Sequence, residues 1–126
     1  MAHRPPAPAL PMALLRHELP GGAFHFDLLL AEVPEVADEA RCVPTWRLEA
    51  DPMAMAPGDR CAIERLSPHR GLYLRLKVPR ELGEGRGRAV PLHHGVHRRD
   101  GAELAIRCDR GEARFRMTVD SLERIT

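Results

Sequence analysis

Residues 24–30 read Phe-His-Phe-Asp-Leu-Leu-Leu, and this stretch decides how the surrounding chain folds. Side chains of a strand alternate between faces, so His25 and Asp27 share one face while Phe26 and Leu28 share the other. The apolar face predicts a core. A histidine or aspartate alone on a strand is more often solvated. A half-buried carboxylate beside an imidazole, however, needs a partner, and a cation is the simplest one.

A second short apolar run, residues 14–20, precedes this strand and contains His17. A Pro-Gly-Gly turn signal at residues 20–22 separates the two runs. We therefore predict a hairpin that carries His17 towards the face that holds His25 and Asp27.

Composition predicts a single all-β domain. The chain has 126 residues, 44% of them hydrophobic, which suffices for one modest core. Ten Gly, twelve Pro and short alternating runs favour a sandwich or barrel over a helical fold. Residues 67–76 predict a further alternating strand with His69 and Tyr73 on one face, and late hairpins are predicted around strands at 103–108 and 113–119.

Residues 1–11 are rich in Pro and Ala, so we expect a disordered tail followed by one domain, 12–126. No apolar stretch approaches the roughly 20 residues of a membrane span, and the tail lacks a secretory core. We expect a cytoplasmic protein without a membrane partner. Cys42, Cys61 and Cys108 are odd in number and far apart, which favours free buried thiols over disulfide or metal roles.

Charge is distributed unevenly along the chain although the net charge is only +1. Residues 1–59 hold four Arg against nine acidic groups, a balance of −5, whereas residues 60–126 hold fifteen Lys and Arg against nine, a balance of +6. A basic half suits a phosphate-bearing partner, although arginine here is partly compositional. The candidate contacts are Arg70, Arg75, Arg86, Arg88, Arg98 and Arg99.

Three imidazoles fall within five residues at His93, His94 and His97. Such a cluster can bind a divalent metal, but it lacks an acidic neighbour in sequence, and Gly95 favours a turn. We expect a solvated loop here.

Several short motifs follow one another in a fixed order from about residue 13 to about residue 118. They are Arg16-His17, His25-x-Asp27, Thr45-Trp46, Pro68-His69-x-x-x-Tyr73 and the glycine-spaced segment 83–90. The ordered set resembles the 3'-phosphoesterase domain of bacterial DNA ligase D and its free-standing relatives, although no single motif is specific.

This resemblance implies a small antiparallel β-barrel with hairpin connections and at most short helices. It implies a metal-dependent hydrolase that trims 3'-ribonucleotide or 3'-phosphate ends of nucleic acid in DNA repair. Its expected partners are nucleic-acid 3' ends and a DNA ligase or polymerase of the repair system. His17, His25 and Asp27 would hold Mn²⁺, or Zn²⁺ or another divalent ion, and His69 and Tyr73 would act on the scissile phosphate. Two imidazoles and a carboxylate suit such an ion, and an imidazole with an unperturbed pKa near roughly 6.5 suits proton transfer.

The chain departs from the family pattern at two cationic positions. The family has an arginine where this chain has Leu29, and a lysine near Ala50, with Arg47 out of phase. A further family arginine corresponds to Arg60, which the resemblance assigns to phosphate binding. Loss of one charged contact commonly costs about 10² to 10³ in rate. The alternative is therefore a catalytically weakened or inactive barrel that serves as a metal- and nucleic-acid-binding module.

Overall fold

The computed structural model describes residues 6–126, which form nine β-strands and two short 3-10 helices. The strands are β1 Leu10–Glu18, β2 Phe24–Leu30, β3 Arg41–Leu48, β4 Arg60–Arg70, β5 Arg80–Glu81, β6 Arg88–Asp100, β7 Glu103–Cys108, β8 Gly111–Met117 and β9 Ser121–Arg124. The 3-10 helices span Pro52–Ala54 and Gly71–Leu74. Within residues 6–126, no helix has the length and apolar character needed to cross a membrane.

The strands close into an antiparallel barrel. The order is β1-β2-β3-β4-β9-β8-β7-β6, and β6 pairs back onto β1, which completes a ring of eight strands. The two-residue β5 pairs with the start of β6, along the edge of β6 that faces away from β1. The expectation of a small all-β barrel with at most short helices is confirmed.

The barrel interior is filled by the inward side chains of alternating strands. Phe115, Leu14, Leu28 and Leu48 lie at its centre and are essentially inaccessible to solvent. Residues one position along from these point outward, which is the period of two that the sequence of β2 predicts.

A second apolar layer covers the outside of β1, β2 and β3. Leu15, Leu29 and Val43 point outward, yet they are buried beneath the segment 31–40 and the 3-10 helix Gly71–Leu74. Gly71 makes this covering possible, because a Cβ there would lie 2.3 Å from the carbonyl oxygen of Ala37. This half of the barrel therefore carries a second layer on its outer face, and that layer can form the wall of a pocket.

Several local predictions need correction. The strand predicted through residues 67–76 is wrong, since β4 ends at Arg70 and the chain turns into a 3-10 helix. The loop expected at His93, His94 and His97 is also wrong, because all three lie within β6. The first strand begins at Leu10, two residues before the predicted domain boundary, and residues 1–5 of the expected tail lie outside the described residues.

The hairpin predictions fared better. A turn separates β1 from β2 where the Pro-Gly-Gly signal predicted it, and β6, β7 and β8 form the expected late hairpins. Along β8, Ala113, Phe115 and Met117 are buried as predicted, whereas Val119 lies beyond the strand and is exposed. The cysteines are free as predicted, but none is fully buried: Cys42 is exposed, and Cys61 and Cys108 are half-buried.

His97 should make the stability of the fold depend on pH. Its Nε2 donates to the carbonyl of Ala31 at 2.8 Å, its Nδ1 is buried without a partner among residues 6–126, and burial lowers its pKa. The unfolded chain therefore binds the proton more readily, so stability is lost as pH falls below the unfolded value near roughly 6.5. We expect the urea midpoint to drop between pH 8 and pH 5.5, and to drop less in His97→Gln. An identical pH dependence in the variant would contradict this role.

Candidate metal site and its arginine-lined pocket

Pairing between β1 and β2 creates the centre of the site. His17 lies directly opposite His25 in the antiparallel ladder, and Leu15 lies opposite Asp27. The two imidazole rings meet edge to face with centroids 4.7 Å apart. One ligand atom from each of His17, His25 and Asp27 can be chosen so that all lie within 4.8 Å of one another. The three metal ligands expected from the resemblance are thus brought together.

Buried atoms without hydrogen-bond donors indicate that the cluster suits a cation. Asp27 is 4% exposed, and its Oδ1 has no hydrogen-bond partner among the described residues. His25 Nε2 lies 3.1 Å from that oxygen without the alignment of a hydrogen bond, and His25 Nδ1 is likewise buried and unpartnered. A buried carboxylate oxygen left in this state is costly. A divalent ion would satisfy it, and the donor set of two imidazoles and one carboxylate fits Mn²⁺ or Zn²⁺.

The surroundings also prepare the histidines as ligands. Burial lowers the pKa of His25; Asp27 opposes this shift, while Arg47 and His17 add to it. Neutral imidazole is the form that binds a metal. His17 Nε2 lies 2.8 Å from the carbonyl oxygen of Arg86. When Nε2–H donates a hydrogen bond to this oxygen, the lone pair for a metal is on Nδ1.

A bulge in β4 carries His69 to the same face. Thr45 pairs with Leu66, but Val43, two residues before Thr45, pairs with His69, so β4 holds one extra residue at the Ser67-Pro68 step. Proline is tolerated at a bulge because the ladder does not need an N–H donor there. Without the extra residue His69 would point to the opposite face; with it, His69 Nε2 lies 3.5 Å from Asp27 Oδ2.

Tyr73 enters the site from the 3-10 helix rather than from a strand. Its ring packs edge to face against His69 with centroids 5.8 Å apart, and it is 8% exposed. The guanidinium of Arg70 lies 5.7 Å from the centre of the Tyr73 ring and also pairs with Glu39 at 3.1 Å. His69 and Tyr73 are therefore adjacent to the ligand cluster, as expected, although by a different local structure.

These residues line a pocket of about 610 Å³ whose walls are partly apolar, including Leu15, Leu66 and Leu82. Among the described residues its lining holds two carboxylates, Asp27 and Glu81, against five guanidinium groups. These belong to Arg41, Arg47, Arg70, Arg80 and Arg86. The pocket therefore carries an excess of positive charge around the ligand cluster.

Four of these arginines have no carboxylate within 4.0 Å in residues 6–126, namely Arg41, Arg47, Arg80 and Arg86. The sequence pattern placed Arg47 out of phase with a family lysine and did not predict its position in this pocket. Arg47 lies there because it is the cross-strand partner of Asp27 and shares its face, a pairing that local periodicity does not contain.

Arg60 does not reach this pocket. It begins β4, nine residues before His69, and pairs in the ladder with Glu123 of β9, to which its side chain comes within 3.8 Å. Arg60, expected to bind phosphate, is therefore not brought to the metal ligands, because β4 separates Arg60 from His69 along its length.

Comparison with protein-family models, curated proteins and solved structures found no match to this chain.

Asp27→Asn tests the metal site while preserving side-chain shape. We expect the affinity for Mn²⁺, measured by calorimetric titration, to fall by at least about 100-fold, since even outer-shell changes cost about 10- to 100-fold. The matched control is Glu35→Gln, an exposed carboxylate outside the pocket, which should bind as the unmodified chain does. Unchanged affinity in Asp27→Asn would remove Asp27 from the ligand set.

Proposed function

We propose that this protein is a metal-dependent phosphoesterase that trims 3'-ribonucleotide or 3'-phosphate ends of nucleic acid in DNA repair. The observation that carries the proposal is the unpartnered, buried Asp27 Oδ1 between two histidines, at the base of a pocket lined by arginines. A cation site beneath a basic rim suits a phosphate ester better than a neutral or cationic substrate. The resemblance to the ligase D phosphoesterase domain supports the same activity.

His17, His25 and Asp27 would hold the ion, preferably Mn²⁺, which when bound polarises a phosphoryl oxygen and favours attack by water. His69 Nδ1 lies 3.2 Å from the carbonyl oxygen of Ser67 and can donate to it, so Nε2 is the nitrogen that faces Asp27 and the pocket. In the imidazolium form, that nitrogen would donate a hydrogen bond or a proton to a leaving oxygen. Tyr73 holds the His69 ring by edge-to-face packing and offers a hydroxyl to a phosphate oxygen.

The arginines supply the charge that Leu29 and Ala50 do not. Leu29 is fully buried in the outer apolar layer, so an arginine could not replace it without burying an unpaired charge. Arg47 on the neighbouring strand faces the cluster instead, directly across from Asp27. We infer that Arg47 takes part of the role that the family gives to its missing cations.

Cleavage of an end-labelled primer-template tests the activity. With Mn²⁺ we expect loss of a 3'-terminal ribonucleotide or 3' phosphate, and we expect His25→Ala to reduce the rate by more than about 10² because a ligand is missing. Circular dichroism should show an unchanged β-barrel in the variant. Cleavage by His25→Ala at the original rate would remove the site from the reaction.

Arg47→Gln tests the replacement of the phosphate clamp. We expect kcat/KM to fall by roughly tenfold to 10²-fold, somewhat less than for a fully buried donor, with metal affinity retained. Arg116→Gln is the matched control, since Arg116 is an exposed arginine on β8 outside the pocket and should leave kcat/KM unchanged. Equal losses in both variants would indicate a general charge effect.

The second candidate function is binding without turnover. The buried Leu29 favours it, because the phosphate-binding arginine of the family cannot be accommodated there. In that case the protein binds Mn²⁺ and 3'-phosphorylated primer-template, Asp27→Asn weakens both, and no product forms.

A further inference from the structure

A second cluster of metal-type side chains lies at the barrel end formed by the β3–β4 connection and the β7–β8 turn. Ligand atoms of His93, Cys108 and Asp109 lie within 4.8 Å of one another. None of these residues lines the pocket described above, so the cluster is independent of the proposed phosphoesterase.

A bulge in β6 directs His93 into this position. Leu14 pairs with His93 while Leu15 pairs with Pro91, so Leu92 is the extra residue. The bulge places His93 on the interior face of the barrel, the face of Leu14, where it is 8% exposed. A buried imidazole at a bulge is typical of a side chain that has been re-aimed for a specific contact.

Asp51 fixes the orientation of the His93 ring. The backbone N–H of Met53 donates to Asp51 Oδ1 at 2.9 Å, which caps the first 3-10 helix and holds the carboxylate in place. The other oxygen, Oδ2, accepts from His93 Nε2 at 3.0 Å. A carboxylate that holds one ring nitrogen of a histidine in this way is the usual outer partner of a metal-bound imidazole.

The opposite nitrogen of His93 then faces the remaining members of the cluster. His93 Nδ1 lies 3.2 Å from Asp109 Oδ1, so a lone pair and a carboxylate oxygen confront each other unless a proton or a metal ion lies between them. Cys108 stands opposite Gly95 in the β6–β7 ladder. A Cβ on Gly95 would come within 2.8 Å of the Cys108 Cα, so glycine permits this close approach.

We propose that His93, Cys108 and Asp109 form a zinc site, with Asp51 orienting the histidine. Thiolate and imidazole ligands favour Zn²⁺, whereas a site for Mn²⁺ would be richer in oxygen. Ligand atoms bound to one zinc ion at about 2.0 to 2.3 Å lie some 3 to 4 Å apart. The His93 and Asp109 atoms already have this separation, and the side chain of Asp109, 62% exposed, leaves a path for the ion.

The site ties together segments that are distant in sequence. His93 comes from β6, Cys108 and Asp109 from the end of β7, and Asp51 from the β3–β4 connection. An ion here would hold this end of the barrel closed, because it binds the folded chain and not the separated segments. Its role is structural, and activity at the arginine-lined pocket does not require it.

Cobalt binding to Asp27→Asn tests the proposal, since that variant removes the first site. We expect one equivalent of Co²⁺ to give a thiolate-to-cobalt charge-transfer band in the near ultraviolet, and Zn²⁺ to displace it and raise the melting temperature. Adding Cys108→Ser should abolish the band and the thermal shift. Adding Asp109→Asn, a change at an exposed side chain that should not impair folding, should weaken Co²⁺ binding by at least about tenfold.

Cysteine variants elsewhere provide the controls. Cys42 is exposed and Cys61 packs against the core outside the cluster, so Cys42→Ser and Cys61→Ser should keep the band. Absence of the band in Asp27→Asn, or its persistence after Cys108→Ser, would overturn the zinc site and leave His93 hydrogen-bonded between the carboxylates of Asp51 and Asp109.

Discussion

Strand β1 is hydrogen-bonded along both edges, to β2 on one side and to β6 on the other, and its register determines both faces of the molecule. In this register Met12 and Leu14 fill the barrel, while Leu15 and His17 face the outer layer. A slip of one residue would exchange the two sets and bury His17 in the apolar interior. The strand that closes the barrel by pairing with β6 therefore also aligns His17 with His25 by pairing with β2.

Two of the bulges in this barrel change the face to which a histidine points. In a ladder of strict alternation, neither His69 nor His93 would face the groups they contact. One extra residue at the Ser67-Pro68 step and one at Leu92 each shift the alternation, so that His69 and His93 point to the opposite face of their strands. Both side chains that depart from the regular pattern meet carboxylates, Asp27 in one case and Asp51 with Asp109 in the other. Irregular pairing in this barrel coincides with concentrated polar chemistry.

The parts of the structure that the sequence predicted are those governed by local alternation. His17, His25 and Asp27 lie within eleven residues on one hairpin, so a period of two and a turn signal suffice to bring them together. Arg60, Arg47 and His93 depend on pairings between distant segments, which local periodicity does not contain. The resemblance assigned Tyr73 to the site, and Tyr73 lies there because of a 3-10 helix that the alternating pattern did not predict.

Closure of the barrel joins the two ends of a long stretch of chain, since Leu10 pairs with His97. Ladders of such large sequence separation form slowly, because loop entropy is lost before contacts compensate for it. The β1–β2 hairpin needs no such closure and can form on its own timescale, with both histidines and the carboxylate already in register. An ion bound by His17, His25 and Asp27 would stabilise the correct register of this hairpin before the β1–β6 ladder forms. The same three side chains would then assist folding in addition to binding the metal.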